Sequence, residues 1–185
     1  PGLLQELIEG PSLDRWIVEK RPSLTESLEV ARSLLAAVDH AHRLGVIHRN
    51  LKPTNVLMQW VHHGWRPRIT DFGIAKILGP TDEPKTAAGV SMGTPSYMAP
   101  EQLRAANSAD QRADIFSLGA ILYQLVTGIP AFPQVDPQAR LMAAQGEDFV
   151  HPADLCDDLL PGVIEAILGC LKADPAERWQ SVTEL

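Results

Sequence analysis

The chain has 185 residues, with 16 Lys and Arg against 23 Asp and Glu, a formal net charge of −7, and 45 % hydrophobic against 21 % charged residues. That length supports one domain with a hydrophobic core, and the acidic balance argues against nucleic acid or an anionic membrane surface as partner. Two cysteines, Cys156 and Cys170, are too few for a disulfide framework and lack metal-ligand spacing, so both read as reduced and buried, in keeping with a cytoplasmic setting.

In chain order, Leu3 to Ile8 reads as the end of a buried strand stopped by Gly10-Pro11. Ser12 suits the N-cap of a short helix through Asp14, Trp16 and Ile17. From Thr25, a cap candidate, to Leu44, Leu28, Ala31, Leu35, Val38 and His42 recur at helical steps, and Gly45 closes the helix. Val56-Leu57-Met58 predicts a strand, Trp60 to Pro67 a turn with Gly64 at its tip, and Arg68-Ile69-Thr70 a returning strand. His62-His63 has no second metal-ligand pair near it and reads as a solvated tip.

Residues 78–92 are rich in Gly, Pro, Thr, Ser and Ala with no period, which predicts an irregular loop. Ile115 to Val126 is apolar all round, the mark of a helix in the centre of a domain. It is too short to cross a bilayer, which takes about 20 apolar residues. No charged start followed by an apolar run marks a signal peptide. Pro137 to Gln145 and Pro161 to Leu171 predict further helices, and Ser181 opens a last one. A strand at the very start, with no partner before it, suggests truncation.

Five motifs stand in order. His48-Arg49-Asn50-Leu51 with Lys52 and Asn55 comes first, then Asp71-Phe72-Gly73, then Gly93-Thr94-Pro95-Ser96-Tyr97-Met98-Ala99-Pro100-Glu101. Asp114 to Gly119 heads the apolar helix, and Asp174-Pro175-Ala176-Glu177-Arg178 stands near the end. The first resembles the catalytic loop H-R-D-L-x-x-x-N of protein kinases, and the ordered set resembles the large lobe of the serine/threonine class, especially the eukaryotic-like kinases of bacteria. The resemblance implies a mainly α, kinase-like α+β fold over residues 1–185, with a hinge at about residues 3–10, an activation segment over 71–101 and a small β-hairpin carrying the site.

It also implies roles. Lys52 resembles the lysine that steadies the transferred phosphoryl group, with Thr94 contacting it and the base position. Asn55 and Asp71 match the two Mg2+ ligands, since a small hard cation takes oxygen donors and bridges nucleotide phosphates. Glu6 and Ile8 stand where hinge backbone meets the adenine of ATP, Gln5 guards the back pocket, and Leu57 floors the ring. His48 and Phe72 look like spine residues, Asp114 like the acceptor that shapes the loop, and Glu101 with Arg178 like a buried ion pair. Arg49 matches the cation that grips a phosphate on the activation segment, for which Thr81, Thr86 and Ser91 are the candidate acceptors.

The chain departs from the pattern twice. Asn50 stands where the family has its proton-accepting Asp, and an amide accepts no proton at neutral pH. The glycine-rich phosphate loop, the strand lysine and its glutamate partner, which belong to the family's smaller N-terminal lobe, have no counterpart here. The expectation is therefore a serine/threonine kinase fragment that uses ATP and Mg2+ on protein hydroxyls in its parent, weak or inactive as it stands. The alternative is a pseudokinase that binds nucleotide or scaffolds a signalling partner. A parent chain anchored to a membrane elsewhere is compatible with both.

Overall fold

The structure, a computed structural model, describes residues 6–62, 64–72, 95–104 and 109–185. The expected features at Leu3–Gln5, His63, Gly73, the 78–92 loop and Gly93-Thr94 lie outside these residues, as do the candidate acceptors Thr81, Thr86 and Ser91. The described chain is mainly helical with one two-stranded antiparallel sheet, as the sequence implies.

Helix α1 (Leu13–Lys20) buries Leu13, Trp16 and Ile17, whose spacing places them on one face. Helix α2 (Leu24–Arg43) starts with a capping box: the Ser23 hydroxyl accepts from the Glu26 amide at 3.3 Å, and the Glu26 carboxylate accepts from the Ser23 amide at 2.9 Å. Ser23, not Thr25, is therefore the cap; Thr25 is exposed within the first turn. Gly45 ends α2 at φ +74°, in the left-handed region expected of it.

Strands β1 (Val56–Val61) and β2 (Gly64–Ile69) pair from Val56↔Ile69 to Val61↔Gly64. The hairpin is longer than the sequence predicts, because Trp60 and Trp65 face each other in the ladder rather than forming the turn. Their rings meet edge to face at 5.2 Å, and Trp65 packs on buried Trp16 at 6.1 Å. Cross-strand aromatic pairing of this kind is worth roughly 0.5–1.5 kcal/mol, and here it also docks α1 on the hairpin. The turn falls at His62, which is exposed at φ +47°.

The first described residues correct another expectation. Glu6 to Glu9 form no strand, and Leu7 is 84 % exposed, because no described strand offers them a ladder. The chain reaches the sheet only at Pro11, whose carbonyl accepts from the Met58 amide at 2.8 Å, and at Ser12, which bridges Leu57. Gly10 permits this approach: a Cβ there would lie 1.9 Å from the Met58 carbonyl oxygen.

Helices α3 (Pro100–Arg104), α4 (Gln111–Thr127), α5 (Pro137–Gln145) and α6 (Pro161–Cys170) follow. Every residue of α4 from Ala113 to Leu125 is buried, the outcome its mostly apolar sequence favours, with the polar Asp114, Ser117 and Gln124 buried among them on hydrogen-bond partners. It lies between α2 and α6. Gly119 lets α6 come close, since a Cβ would stand 2.3 Å from that of Cys170. Phe116 stacks on Phe132 at 5.9 Å, and Phe149 meets the edges of Phe132 and Tyr123. Cys170 is buried as expected, whereas Cys156 is only half-buried on a connecting turn. Residues 181–185 make short i to i+3 turns, from Glu184 to Ser181 and from Leu185 to Val182, in place of the expected helix. Among the described residues no helix is long and apolar enough to cross a membrane.

Candidate active site

The loop from His48 to Asn55 hangs between the end of α2 and the start of β1, and Asp114 in the first turn of α4 fixes it. The Asp114 side chain is 1 % exposed and accepts from the amides of His48 at 2.8 Å and Arg49 at 2.7 Å. The His42 ring on α2 completes the cluster, its Nε2 lying 2.9 Å from the carboxylate. A buried carboxylate is costly unless several donors surround it, and three donors from two elements do so here.

Those bonds hold an unfavourable backbone. Arg49 sits at φ +65°, which costs a non-glycine residue of order 1 kcal/mol. Buried Gln102 adds a bond from the other side, its amide nitrogen donating to the Arg49 carbonyl at 2.8 Å.

His48 is buried and packs its ring on Phe72 at 4.7 Å. The Asn50 amide donates to its Nδ1 at 3.3 Å, so the proton resides on Nε2, which donates to the Thr70 carbonyl at 2.9 Å. Both ring nitrogens are occupied by backbone, so His48 is scaffold rather than base, as the sequence suggests.

Asn50 is exposed. Its carbonyl accepts from the Asn55 side-chain amide at 2.9 Å, and the Asn55 carbonyl accepts the Thr70 amide at 2.9 Å. The loop is thereby stapled to the exit of β2. Asp71 follows directly, exposed and at φ +62°, with the Thr70 hydroxyl 3.5 Å from its carboxylate. Lys52 is half-buried and lines a small cavity with Asn50, Tyr97, Met98, Gln102 and Ser117. Among the described residues it makes no ion pair. Tyr97 donates to Gln124, its carbonyl accepts from Ser117 at 2.7 Å, and burial pushes its hydroxyl up to about 12.

Of the site residues expected from sequence, Asn50, Lys52, Asn55 and Asp71 are gathered by this loop and strand exit. Leu57 is half-buried and bridges Ser12; the described hydrogen bonds do not join it to Glu6, which is exposed, or to Ile8. Thr94 and Gln5 lie outside the described residues. From sequence, His42 belongs to the buried stripe of α2 and Gln124 to the apolar run of α4, but neither they nor Thr70 and Gln102 could be assigned a polar partner. A polar residue on the buried face of an apolar helix, as His42 follows Val38, was the available signal.

The donor set suits a hard cation. Asn55 commits its amide nitrogen to Asn50, which leaves its side-chain oxygen as a neutral donor, and Asp71 keeps a carboxylate free of ion pairs among the described residues. No described group of three or more His, Cys, Asp and Glu could hold a metal unaided. Such an ion would complete its shell with phosphate or water oxygens.

The fold, with its two-stranded hairpin and the loop held by Asp114, is of the protein kinase type. The model of the protein kinase domain matches residues 2–185, and the chain belongs to this family. "Probable serine/threonine-protein kinase SCO3848" of Streptomyces coelicolor is 31 % identical over all of this chain, which covers 27 % of that protein. The serine/threonine-protein kinases PknB of Mycolicibacterium smegmatis and Mycobacterium tuberculosis are 30 % identical over all of this chain, which covers 29 % of each. The chain thus spans under a third of the length of these relatives. The crystal structure of Rad53 1-466 in complex with AMP-PNP superposes with a TM-score of 0.74 at 24 % identity, over 96 % of this chain and 43 % of that one, and shows the shared fold.

Proposed function

We propose that residues 1–185 form the large lobe of a serine/threonine protein kinase of the bacterial type, which transfers the ATP γ-phosphate to protein hydroxyls when the rest of the nucleotide cleft is present. The observation that carries this reading is the intact clamp on the loop. Asp114 holds the His48 and Arg49 amides and Asn55 holds the Asn50 carbonyl, with Lys52 beside Asn50.

In this reading Asn55 and Asp71 hold Mg2+, whose chemistry is to neutralise the phosphate charge of ATP. Lys52 adds a cation beside the transferred group, with Thr94 as its partner. Glu6 and Ile8 offer backbone to adenine above Leu57. The side-chain amide of Asn50 orients the attacking hydroxyl but takes no proton from it, which lowers the rate by about 10²–10⁴. Positioning dominates phosphoryl transfer through a loose transition state, so a residual rate is compatible with Asn50.

Asn50 itself favours a second reading, a pseudokinase that keeps the clamp and signals by contact. Phosphoryl transfer to a generic protein substrate, measured in the full-length protein with Asn50 and with Asn50→Asp, separates the two. Activity that appears with Asp supports the kinase reading. Two inactive forms that still bind nucleotide support the pseudokinase.

A further inference from the structure

We propose that Gln102 is a positioning residue of the catalytic loop, coupling the Pro95–Arg104 segment to the peptide that carries Asn50. The catalytic part of this inference rests on the kinase reading above.

Gln102 is 7 % exposed and uses both ends of its amide. Its oxygen accepts from the Ala99 amide at 3.2 Å, and its nitrogen donates to the Arg49 carbonyl at 2.8 Å. The two partners fix the orientation, because an amide N–H must meet the oxygen and a carbonyl must meet the NH2 group. The first bond is local. Gln102 stands at the third position of α3 and reaches back to the residue before it, which is half of a capping box. Capping alone would be a sufficient structural role.

The second bond is not local. It crosses 53 positions to the peptide between Arg49 and Asn50. The N–H of that same peptide, on Asn50, donates to His48 Nδ1 at 3.3 Å, and the Arg49 amide one peptide earlier is bound to Asp114. Arg49 at φ +65° is thus held at its amide from α4 and at its carbonyl from α3. Gln102 also lines the cavity that Asn50 and Lys52 share with Tyr97 and Met98. The order of the 95–104 segment is therefore transmitted to Asn50 through one buried amide. A glutamate would keep the cap, since capping boxes use Glu or Gln equally, but would present oxygen to the Arg49 carbonyl.

The test uses the full-length protein carrying Asn50→Asp, with Gln102→Glu, which keeps the cap, and Gln102→Met, which removes both bonds. Small misplacements of a reacting group are costly, so both variants are expected to lower kcat about 10- to 100-fold. The KM for ATP should change less than about threefold, the mark of an effect outside ground-state binding. Amide hydrogen exchange at Arg49 and Asn50 should accelerate about tenfold in Gln102→Glu while α4 keeps its protection.

Unchanged kcat and exchange in Gln102→Glu, with loss only in Gln102→Met, would reduce Gln102 to a cap and overturn the proposal. So would faster exchange spread across α3 and α4, which marks a general structural role. If the Asn50→Asp protein is itself inactive, the kinase reading falls, and the exchange at Arg49 and Asn50 still decides whether Gln102 holds the loop.

Discussion

The Asn55 side-chain amide donates to the Asn50 carbonyl at 2.9 Å and so closes the loop between them, with Asn55 only 8 % exposed. One residue therefore shapes the loop through its amide nitrogen and leaves its side-chain oxygen uncommitted by that bond. Asn55→Ala is expected to cost about 1 kcal/mol of stability by denaturant titration, the worth of one hydrogen bond. On the proposed reading of Asn55 as a hard-cation ligand, the substitution should also weaken Mg2+-dependent nucleotide binding of the full-length protein about tenfold or more. Calorimetry with and without Mg2+ checks this; equal binding in both proteins would remove Asn55 from the metal site.

Arg178 has no exposed side-chain surface and donates to both oxygens of Glu101, at 2.8 and 3.2 Å. It also donates to the carbonyls of Arg112 at 2.6 Å and Lys172 at 3.0 Å, and its guanidinium stands 5.1 Å from the centre of the Phe116 ring. Arg178→Met strands those acceptors and Glu101→Ala strands the buried cation. Each is expected to lower unfolding free energy by about 3–5 kcal/mol. Urea unfolding measures it, and losses under 1 kcal/mol would show the pair to be solvated.

Tyr97 gives a pH dependence. Burial, with the Asp14 carboxylate adding to it, raises its hydroxyl from 10.0 to about 12. The folded state holds the proton more tightly than the unfolded chain, so this contribution is complete below pH 10.0 and is lost as pH rises through about 12. Stability measured across that interval should fall more steeply in the unaltered protein than in Tyr97→Phe. Equal slopes would mean that Tyr97 ionises as freely folded as unfolded.

Ser23 rather than Thr25 caps α2, and the two are separable. Ser23→Ala should cost about 1 kcal/mol, since an N-cap acceptor is lost, whereas Thr25→Ala should stay within about 0.5 kcal/mol. Thermal unfolding of both variants reads the difference directly. The capping bond also holds the Glu26 carboxyl below its usual range, with the Ser23 backbone amide as the main cause. This support is present at neutral pH and weakens as pH falls through the lowered value.

Much of the fold was legible in local sequence. The mostly apolar run of α4, Pro137 opening α5, Pro161 opening α6 and Gly45 ending α2 all act within a turn or two, and each element formed where expected. Local signals misled where a partner decided the outcome. Leu7 is apolar but has no described strand beside it, so it stays exposed. Trp60 and Trp65 looked like turn flanks until their rings met across the hairpin.

The sequence alone named the candidate site residues: through the order of its motifs and the family resemblance it singled out Asn50, Lys52, Asn55 and Asp71 and marked Asn50 as the departure. The family resemblance also named Asp114 as the acceptor that shapes the loop and Glu101 with Arg178 as an ion pair, and both pairings are present, the latter across 77 positions. Only the tertiary structure decided the further partners: Asp114 takes His42 from 72 positions away, and Gln102 takes Arg49 from 53. Periodicity and caps are set by neighbours along the chain, whereas a buried polar group takes the partner that packing brings within about 3 Å, because burial without one costs more than the bond returns.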